Sequence, residues 1–252
     1  MDFVTDAINL KTYALSEFDN IIVMYSREKG LIRGVAKGVK KPKSKLGARM
    51  QVLIANKLLL NKGRNLDRIT QAQALNTFSK LRQDLDKLTY SMYLAELITS
   101  FCQETEDNAE KIYDIFYASL EKIANSADKR EVLLAVLKFQ VQLMEVLGYG
   151  LQINSCSLCG CEINENPMFS RTDGGSYCAR CADGRNLSLV KIPTKIRDFL
   201  NEIACTAIIH ATKYDDLADL KTVEICFEFL RKYISALAPS KQKVLNTISK
   251  IG

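Results

Sequence analysis

Four cysteines in the second half of the chain have the spacing of a metal site. Cys156 and Cys159 form one Cys-x2-Cys pair, Cys178 and Cys181 form another, and eighteen residues separate the two pairs. A gap of two residues lets one tight turn direct both thiolates towards a tetrahedral ion, with metal–sulfur distances of about 2.3 Å. The paired spacing therefore predicts one zinc ion held by these four cysteines.

The predicted zinc site is structural, because four thiolates close the coordination sphere and leave no position for a substrate. Cys161 supplies a fifth thiol nearby and is an alternative to Cys159 as a ligand. A loop without metal, or one closed by disulfides, is the other interpretation of these cysteines. Gly160 is typical of a knuckle turn, and residues 172–175 are typical of a hairpin turn that leads back to the second pair.

A second group of residues with a shared chemistry lies in the stretch AKGVKKPKSKLGARM, residues 36–50, which holds six cations and no acid. The window from Lys29 to Arg68 contains twelve cations and Asp67 as its single acid, a net charge of +11, so the rest of the chain carries −5. This asymmetry predicts a polyanionic partner whose phosphates contact a flexible basic loop. A solvated loop that serves solubility alone is the alternative.

Aromatic residues are absent from residues 29–76, which contain no Phe, Tyr or Trp. Proteins that hold single strands through their bases use aromatic side chains as stacking platforms. We therefore predict that the basic segment contacts the backbone of single- or double-stranded nucleic acid, with little sequence preference. The nearby Phe3, Tyr13, Phe18 and Tyr25 fall in or beside strand patterns, and we expect them in the core of the N-terminal domain.

The same window argues against catalysis on nucleic acid. Two-metal cleavage of a phosphodiester needs clustered carboxylates beside the basic track, and Asp67 stands alone there. The chain also lacks a Walker A motif, so nothing indicates an ATP-driven motor. The residues therefore predict a binding protein and not an enzyme.

Three kinds of segment must position these residues, which predicts an α+β multidomain fold. Residues 1–76 show five short strand patterns separated by turn signals, typical of an OB-fold β-barrel; an SH3-like barrel or a small sandwich would have a similar pattern. A helical period begins at Thr77 and returns after Pro193, which predicts an α-helical domain of residues 77–152 and 187–252. The four-cysteine zinc-finger module, residues 153–186, is inserted in that domain.

The N-terminal residues MDFVTDAINL lack the basic and apolar regions of a signal peptide. No apolar run in the chain approaches the roughly 18 residues that a membrane span needs. We therefore expect a cytoplasmic protein, in which clustered cysteines serve metal binding before disulfides.

The order of these segments resembles one family, the bacterial RecO recombination mediators. The run from AINLKTYAL through SREKG to the AKGVKKPKSKLG loop resembles the opening strands of that family. LGYG, CSLCG and FSRTDGGSYCARC resemble its cysteine module, so the resemblance covers nearly the full chain. Its specific part is the joint presence of the basic loop and the paired cysteines. Ser26 departs from the pattern, since Thr is expected at that turn.

The resemblance implies a function in DNA repair and homologous recombination. RecO-like proteins bind single- and double-stranded DNA through the OB-fold, anneal complementary strands, and act with RecR to load RecA onto DNA covered by single-strand-binding protein (SSB). The acidic C-terminal tail of SSB docks on their helical domain, where Lys129, Arg130 and Lys138 are candidate contacts here. A nucleoid-associated location follows from the same resemblance.

The resemblance assigns roles to two sets of residues in this sequence. The zinc ligands are Cys156, Cys159, Cys178 and Cys181. The DNA-binding residues are Arg33, Lys37, Lys40, Lys41, Lys43, Lys45 and Arg49. Two competing hypotheses are an RNA-binding OB-fold and zinc-ribbon protein of translation or transcription, and a metal-dependent hydrolase of nucleic acid, which the lone Asp67 argues against.

Overall fold

A computed structural model describes residues 2–102, 107–183, 188–205 and 218–237. The described residues fall into two compact units, one formed by residues up to 125 and the other by residues from 126 onwards. A closed β-barrel dominates the first unit, whereas helices and a small sheet form the second.

Five strands form the barrel, and they follow one another around it in the order β1-β2-β3-β5-β4. The strands are β1 (Asp2–Ala14), β2 (Asn20–Ser26), β3 (Gly30–Ala36), β4 (Ala55–Asn61) and β5 (Asp67–Asn76). Neighbouring strands run antiparallel except β3 and β5, which pair in parallel. This five-stranded closed arrangement confirms the predicted OB-type barrel.

The barrel interior is apolar because alternate side chains of each strand point inward. β1 forms ladders with both β2 and β4, and its pairing with β2 changes register between Asn9 and Lys11, which marks a bulge. The buried residues that fill the interior include Ala7, Ile22, Met24, Ile32, Leu58, Leu60 and Ile69.

Two helices complete the first unit, α1 (Leu85–Phe101) and α2 (Ala109–Asn125). The helical period predicted from Thr77 starts later than expected. Phe78 has a positive φ of 43°, a conformation that a helix cannot contain, and residues Ser79–Gln83 form only a short 3-10 helix. α1 then begins after Asp84, whose carboxylate accepts a hydrogen bond from the backbone N–H of Lys87 at 3.0 Å.

The second unit combines helices with a four-stranded sheet of order β6-β8-β7-β9. The strands are β6 (Gln152–Cys156), β7 (Met168–Ser170), β8 (Gly175–Tyr177) and β9 (Leu189–Lys191). The helices are α3 (Lys129–Val146), the short α4 (Ala179–Ala182), α5 (Thr194–Cys205) and α6 (Leu220–Leu237). α3 buries residues on much of its circumference, which is typical of a helix at the centre of a bundle.

Aromatic packing joins the sheet to α6. The Phe169 ring of β7 lies 5.2 Å from that of Phe229 and 5.4 Å from that of Tyr233, measured between centroids. Gly174 sits in the β7–β8 turn with φ +68°, and a Cβ atom there would lie 2.7 Å from the Tyr233 hydroxyl. The position therefore requires glycine both for its conformation and for its contact.

The α+β fold class is confirmed by this arrangement of barrel, helices and small sheet. The predicted domains, residues 1–76, residues 77–152 with 187–252, and residues 153–186, stay a prediction. None of the described helices is long and apolar enough to cross a membrane.

Candidate metal centre and nucleic-acid interface

The two cysteine pairs meet in the second unit. The sulfur atoms of Cys156, Cys159, Cys178 and Cys181 all lie within 4.8 Å of one another, and those of Cys159 and Cys178 are 3.9 Å apart. Four sulfurs placed tetrahedrally around an ion at about 2.3 Å are separated from one another by about 3.8 Å. The donor set and its spacing therefore fit a tetrahedral metal ion such as zinc.

Local hydrogen bonds hold the first pair in a knuckle at the end of β6. The Gly160 N–H donates to the Cys156 carbonyl, and the Cys156 N–H donates to the Cys161 carbonyl, both at 2.8 Å. Gly160 has a φ of +69°, the left-handed conformation that glycine adopts without a steric penalty. The backbone thus turns back on itself within the pair, so that both thiols point the same way.

A hairpin and a short helix position the second pair. β7 and β8 pair antiparallel on either side of residues 171–174, which confirms the hairpin turn predicted there. Cys178 follows β8 directly and precedes α4. The Cys181 N–H donates to the Cys178 carbonyl at 3.0 Å. Strand, turn and helix together return the chain to the first knuckle.

Backbone N–H groups stabilise thiolate in this cluster. Burial opposes ionisation of Cys156, but the N–H groups of Cys178, Cys159 and Leu158 outweigh it and lower its pKa to about 6. The pKa of Cys178 is also lowered, chiefly by the Cys181 N–H. Since metals bind the thiolate form, this environment favours a cation at Cys156 and Cys178.

Cys161 stands beside the cluster and is not one of the four grouped sulfurs. Hydrogen bonds from its thiol to the sulfurs of Cys159 and Cys178 raise its pKa to about 12. Cys181, which is one of the four, has its pKa raised to about 12 by similar contacts with Cys178 and Cys159. The raised pKa thus does not separate Cys161 from the ligands, but the grouping of the four sulfurs favours Cys159 over Cys161 as the fourth donor.

All seven predicted DNA-binding residues are exposed on the first unit. Arg33 lies on β3, five of the others lie in the loop that follows it, and Arg49 belongs to a short 3-10 helix before β4. The exposed residues are Arg33, Lys37, Lys40, Lys41, Lys43, Lys45 and Arg49. We call residues 37–49 the basic loop. It places six cations on the connection between β3 and β4.

Residues near both ends anchor the basic loop to the barrel; the flexibility expected of the segment between them stays a prediction. Val39 and Met50 are buried in the barrel core, and Leu46 packs against the same core. The side-chain amide of Asn9 donates to the carbonyl oxygens of Arg49 and Gln51, at 2.8 Å each. Apolar residues interspersed among the lysines therefore fix the ends of the loop while its charges face solvent.

The turn between β1 and β2 is tied to the basic loop. The Gly38 N–H donates to the Asp19 carboxylate at 2.7 Å, and this bond is the main cause of the lowered pKa of Asp19. The Lys40 N–H donates to the Phe18 carbonyl at 3.1 Å. The ammonium of Lys40 donates to the Ser16 carbonyl at 3.2 Å. Turn and loop thus form one continuous surface.

Two family profiles match this chain. One, described as Recombination protein O N terminal, matches residues 1–78, and the other, described as Recombination protein O C terminal, matches residues 82–241. The chain belongs to the RecO family. The first matched range contains the barrel and the basic loop, and the second contains the cysteine cluster, so both candidate sites lie in RecO sequence.

Several similar proteins carry the name DNA repair protein RecO. The chain is 37% identical over 185 residues to that of Nostoc punctiforme, covering 70% of this chain but only 61% of the relative. It is 35% identical over 178 residues to that of Desulforamulus reducens, covering 70% and 68%. The protein of Acetivibrio thermocellus is 29% identical over 179 residues, covering 71% and 70%. The match thus spans less than two thirds of the Nostoc protein.

The RecO barrel of this chain also exposes two aromatic residues that sequence reasoning assigned to the core. Tyr13 is 54% exposed and Phe18 is 41% exposed, whereas Tyr25 is fully buried and Phe3 packs against the barrel core as expected. A signal for Tyr13 was present: Lys11, two residues earlier in β1, must face outward, and strand alternation puts Tyr13 on the same face. The position of Phe18 in a turn had no such signal.

Proposed function

We propose that this RecO-family chain acts in DNA repair and homologous recombination as a binding protein without catalytic activity. It binds single- and double-stranded DNA through the barrel, anneals complementary strands and, with RecR, helps to load RecA onto DNA covered by SSB. The observation that carries the proposal is the anchored basic loop, with six exposed cations on the β3–β4 connection of an OB-type barrel. The names of its relatives, DNA repair protein RecO, support the biological setting.

The physics of annealing favours such a loop. Two complementary strands repel each other through their phosphates, and cations that neutralise both backbones remove this repulsion and release counterions. Contacts with phosphates leave the bases free, so they do not compete with pairing. An anchored loop also spends less conformational entropy on binding than a mobile one.

Strand annealing is the direct test of this function. Purified protein at about 50 mM salt is expected to speed the pairing of two complementary labelled DNA strands at least tenfold, and the acceleration should vanish at high salt because screening removes the phosphate contacts. Unchanged pairing rates would contradict the proposal. The same strands made of RNA, and DNA incubated with Mg²⁺, serve as comparisons.

These comparisons separate the alternatives. Markedly tighter binding to RNA than to DNA would favour the RNA-binding function, and Mg²⁺-dependent cleavage would favour a hydrolase. The proposal of a non-enzymatic function rests on the lack of clustered carboxylates beside the basic loop in the sequence, where Asp67 stands alone between Lys29 and Arg68.

The metal proposed for the cysteine cluster is a single structural zinc ion. Cys156, Cys159, Cys178 and Cys181 would hold it, and their four thiolates would complete its coordination sphere. When bound, the ion cross-links two knuckles that are eighteen residues apart in sequence and stabilises the module they enclose. It has no part in a reaction.

The proposed contact with the SSB tail has a candidate groove in the second unit. The groove has a volume of about 400 Å³ and an apolar floor that includes Ile192, Ile225 and Phe229. Its rim carries Arg171, Lys191, Lys221 and Lys232, together with Glu224 and Glu228. Both acids have intramolecular partners: Glu224 pairs with Lys129 at 3.0 Å, and Glu228 pairs with Arg231 and Lys232. The basic rim suits an acidic peptide, and the apolar floor can bury apolar side chains that such a peptide carries.

Two of the sequence candidates for tail contact, Lys129 and Arg130, have partners within the chain. Lys129 reaches the groove edge through its pair with Glu224. The Arg130 guanidinium donates from Nε to the Ala218 carbonyl at 2.7 Å, so it supports the chain before α6. Nε of Arg171, by contrast, is buried without a hydrogen-bond partner among the residues that the structure describes. Arg171 also lines the groove, so its guanidinium is a candidate partner for a carboxylate bound there.

Charge reversal at the rim tests this groove. Lys221→Glu is expected to weaken binding of a synthetic SSB C-terminal peptide at least tenfold, measured by fluorescence anisotropy, because it replaces an attraction for the acidic peptide by a repulsion. The control variant Lys80→Glu changes the net charge by the same amount, but Lys80 lies in the first unit. This variant should bind the peptide with the affinity of the unchanged protein. Equal losses in both variants, or none in Lys221→Glu, would refute the assignment.

A further inference from the structure

The exposed rings of Tyr13 and Phe18 lie on one hairpin, formed by β1, β2 and the turn between them. Isolated exposed apolar residues are common on proteins and need no explanation. These two differ because cations of the proposed DNA surface adjoin both. A single ligand could therefore contact both the rings and the cations.

Two contacts join Phe18 to the basic loop, and a third joins its neighbour Ser16. The Lys41 ammonium lies 5.4 Å from the centroid of the Phe18 ring. The Phe18 carbonyl accepts a hydrogen bond from the Lys40 N–H, and the Lys40 ammonium reaches the neighbouring Ser16 carbonyl. A cation over the ring and a ring that remains 41% exposed together present charge and a flat apolar surface side by side.

Tyr13 lies in an open groove on the outer face of the barrel strands. The groove has a volume of about 470 Å³, and its walls include Tyr13, Ile21, Leu31 and two cations, Lys11 and Arg33. This volume is within the range of about 300–1,000 Å³ that is usual for sites holding small organic groups. Arg33, one of the predicted DNA-binding residues, therefore shares a groove with an exposed aromatic ring.

We propose that Tyr13 and Phe18 stack on unpaired nucleobases of a single DNA strand whose phosphates contact Arg33 and the basic loop. Every base presents a flat face, so stacking adds affinity without sequence preference. In a duplex these faces are already covered by neighbouring base pairs. The inference rests on the proposed DNA binding and adds to it a preference for single strands, where charge alone predicts little discrimination between single strands and duplex.

Two rings engage only a few bases, which keeps the surface compatible with annealing. Bases outside the platforms stay free to pair, while the phosphate contacts hold the strand. The hairpin is rigidly placed, because the Asp19 carboxylate binds the Gly38 N–H at 2.7 Å and β2 pairs with β3 along its length. Because the platform is already ordered, binding a strand costs less conformational entropy in the protein.

The test compares three probes of equal length with the full chain: a labelled 20-nucleotide oligothymidylate, the same backbone with abasic sites throughout, and a 20-base-pair duplex. The unchanged protein is expected to bind oligothymidylate about tenfold or more tighter than the abasic strand. Tyr13→Leu with Phe18→Leu keeps apolar bulk but removes both rings, so it should bind oligothymidylate only as tightly as the abasic strand. Its affinity for duplex should not change.

Ring-retaining and reporter variants complete the design. Tyr13→Phe keeps the platform and should retain the preference for bases. The chain has no tryptophan, so Phe18→Trp provides a single fluorescent reporter at the platform. Its emission should be quenched by oligothymidylate and not by the abasic strand. Tyr149→Trp, at a 46% exposed position of the second unit, is the matched control and should respond to neither.

Three outcomes would overturn the inference. If the unchanged protein binds oligothymidylate and the abasic strand with equal affinity, the proposed phosphate binding stands and the proposed stacking is wrong. An equal loss for all three probes in the double variant shows a general defect instead of a stacking role. A protein that binds none of the probes at low salt overturns the proposed DNA function and this inference together.

Discussion

Replacing Cys156 and Cys181 by serine is expected to reduce the metal content from one zinc ion per chain to none, as measured by elemental analysis of the purified protein. The second unit should then unfold at a clearly lower temperature. Near the knuckles the buried apolar cluster is small, with Cys156, Ile163 and Tyr177 as its buried members. A structural zinc contributes on the order of 10 kcal/mol in small zinc-dependent modules, more than so small a core supplies.

Cys161→Ser is the matched control for the zinc prediction. It removes a thiol that touches the cluster but is not among the four grouped sulfurs. This variant is expected to keep one zinc ion and nearly the same melting temperature. If Cys161→Ser lost the metal and Cys159→Ser kept it, the ligand set would be wrong and Cys161 would take the place of Cys159.

Changing Lys40, Lys41, Lys43 and Lys45 together to alanine is expected to weaken DNA binding on the order of 100-fold at 50 mM salt. Each phosphate contact contributes about 0.7–0.9 to the slope of log K against log salt, so the loss of four should reduce that slope by about 3. The fold should survive, because all four side chains are exposed and the anchors Val39, Leu46 and Met50 are kept.

A second quadruple variant controls for net charge. It removes four exposed lysines outside the basic loop and outside the groove proposed for the SSB tail, so the total charge changes equally. Its salt slope and affinity are expected to stay close to those of the unchanged protein. An equal effect in both variants would show that total charge matters and the loop does not. The control lysines are Lys80, Lys111, Lys122 and Lys195.

The cysteine site was predictable from the sequence in its membership but not in its geometry. A gap of two residues restricts each pair to one knuckle, because neighbouring residues cannot move far apart. The contact between the pairs depends on the β7–β8 hairpin, which needs Gly174 beside Tyr233 of α6, far away in sequence. The choice between Cys159 and Cys161 likewise depends on side-chain directions, which the sequence of a single turn does not reveal.

The start of the helical region shows a similar limit. Thr77 and the period that follows it predict a helix, yet Phe78 takes a left-handed conformation and α1 begins only at Leu85. Phe78 is buried, and its ring packs edge-on against Tyr117 of α2 at 5.2 Å. A tertiary contact thus outweighed a local preference worth only tenths of a kcal/mol per residue.

By itself the sequence determined the order of barrel, helices and cysteine module, the four paired thiols and the acid-free run of cations, because period, spacing and charge are local properties. Tertiary structure decided what those residues face. It buried Val39 and Met50, packed Leu46 against the same core, and so anchored a loop whose composition indicated flexibility. It also turned Tyr13 and Phe18 outward beside Arg33 and Lys41. Exposure depends on the register and closure of strands distant in sequence, and no single segment contains that information.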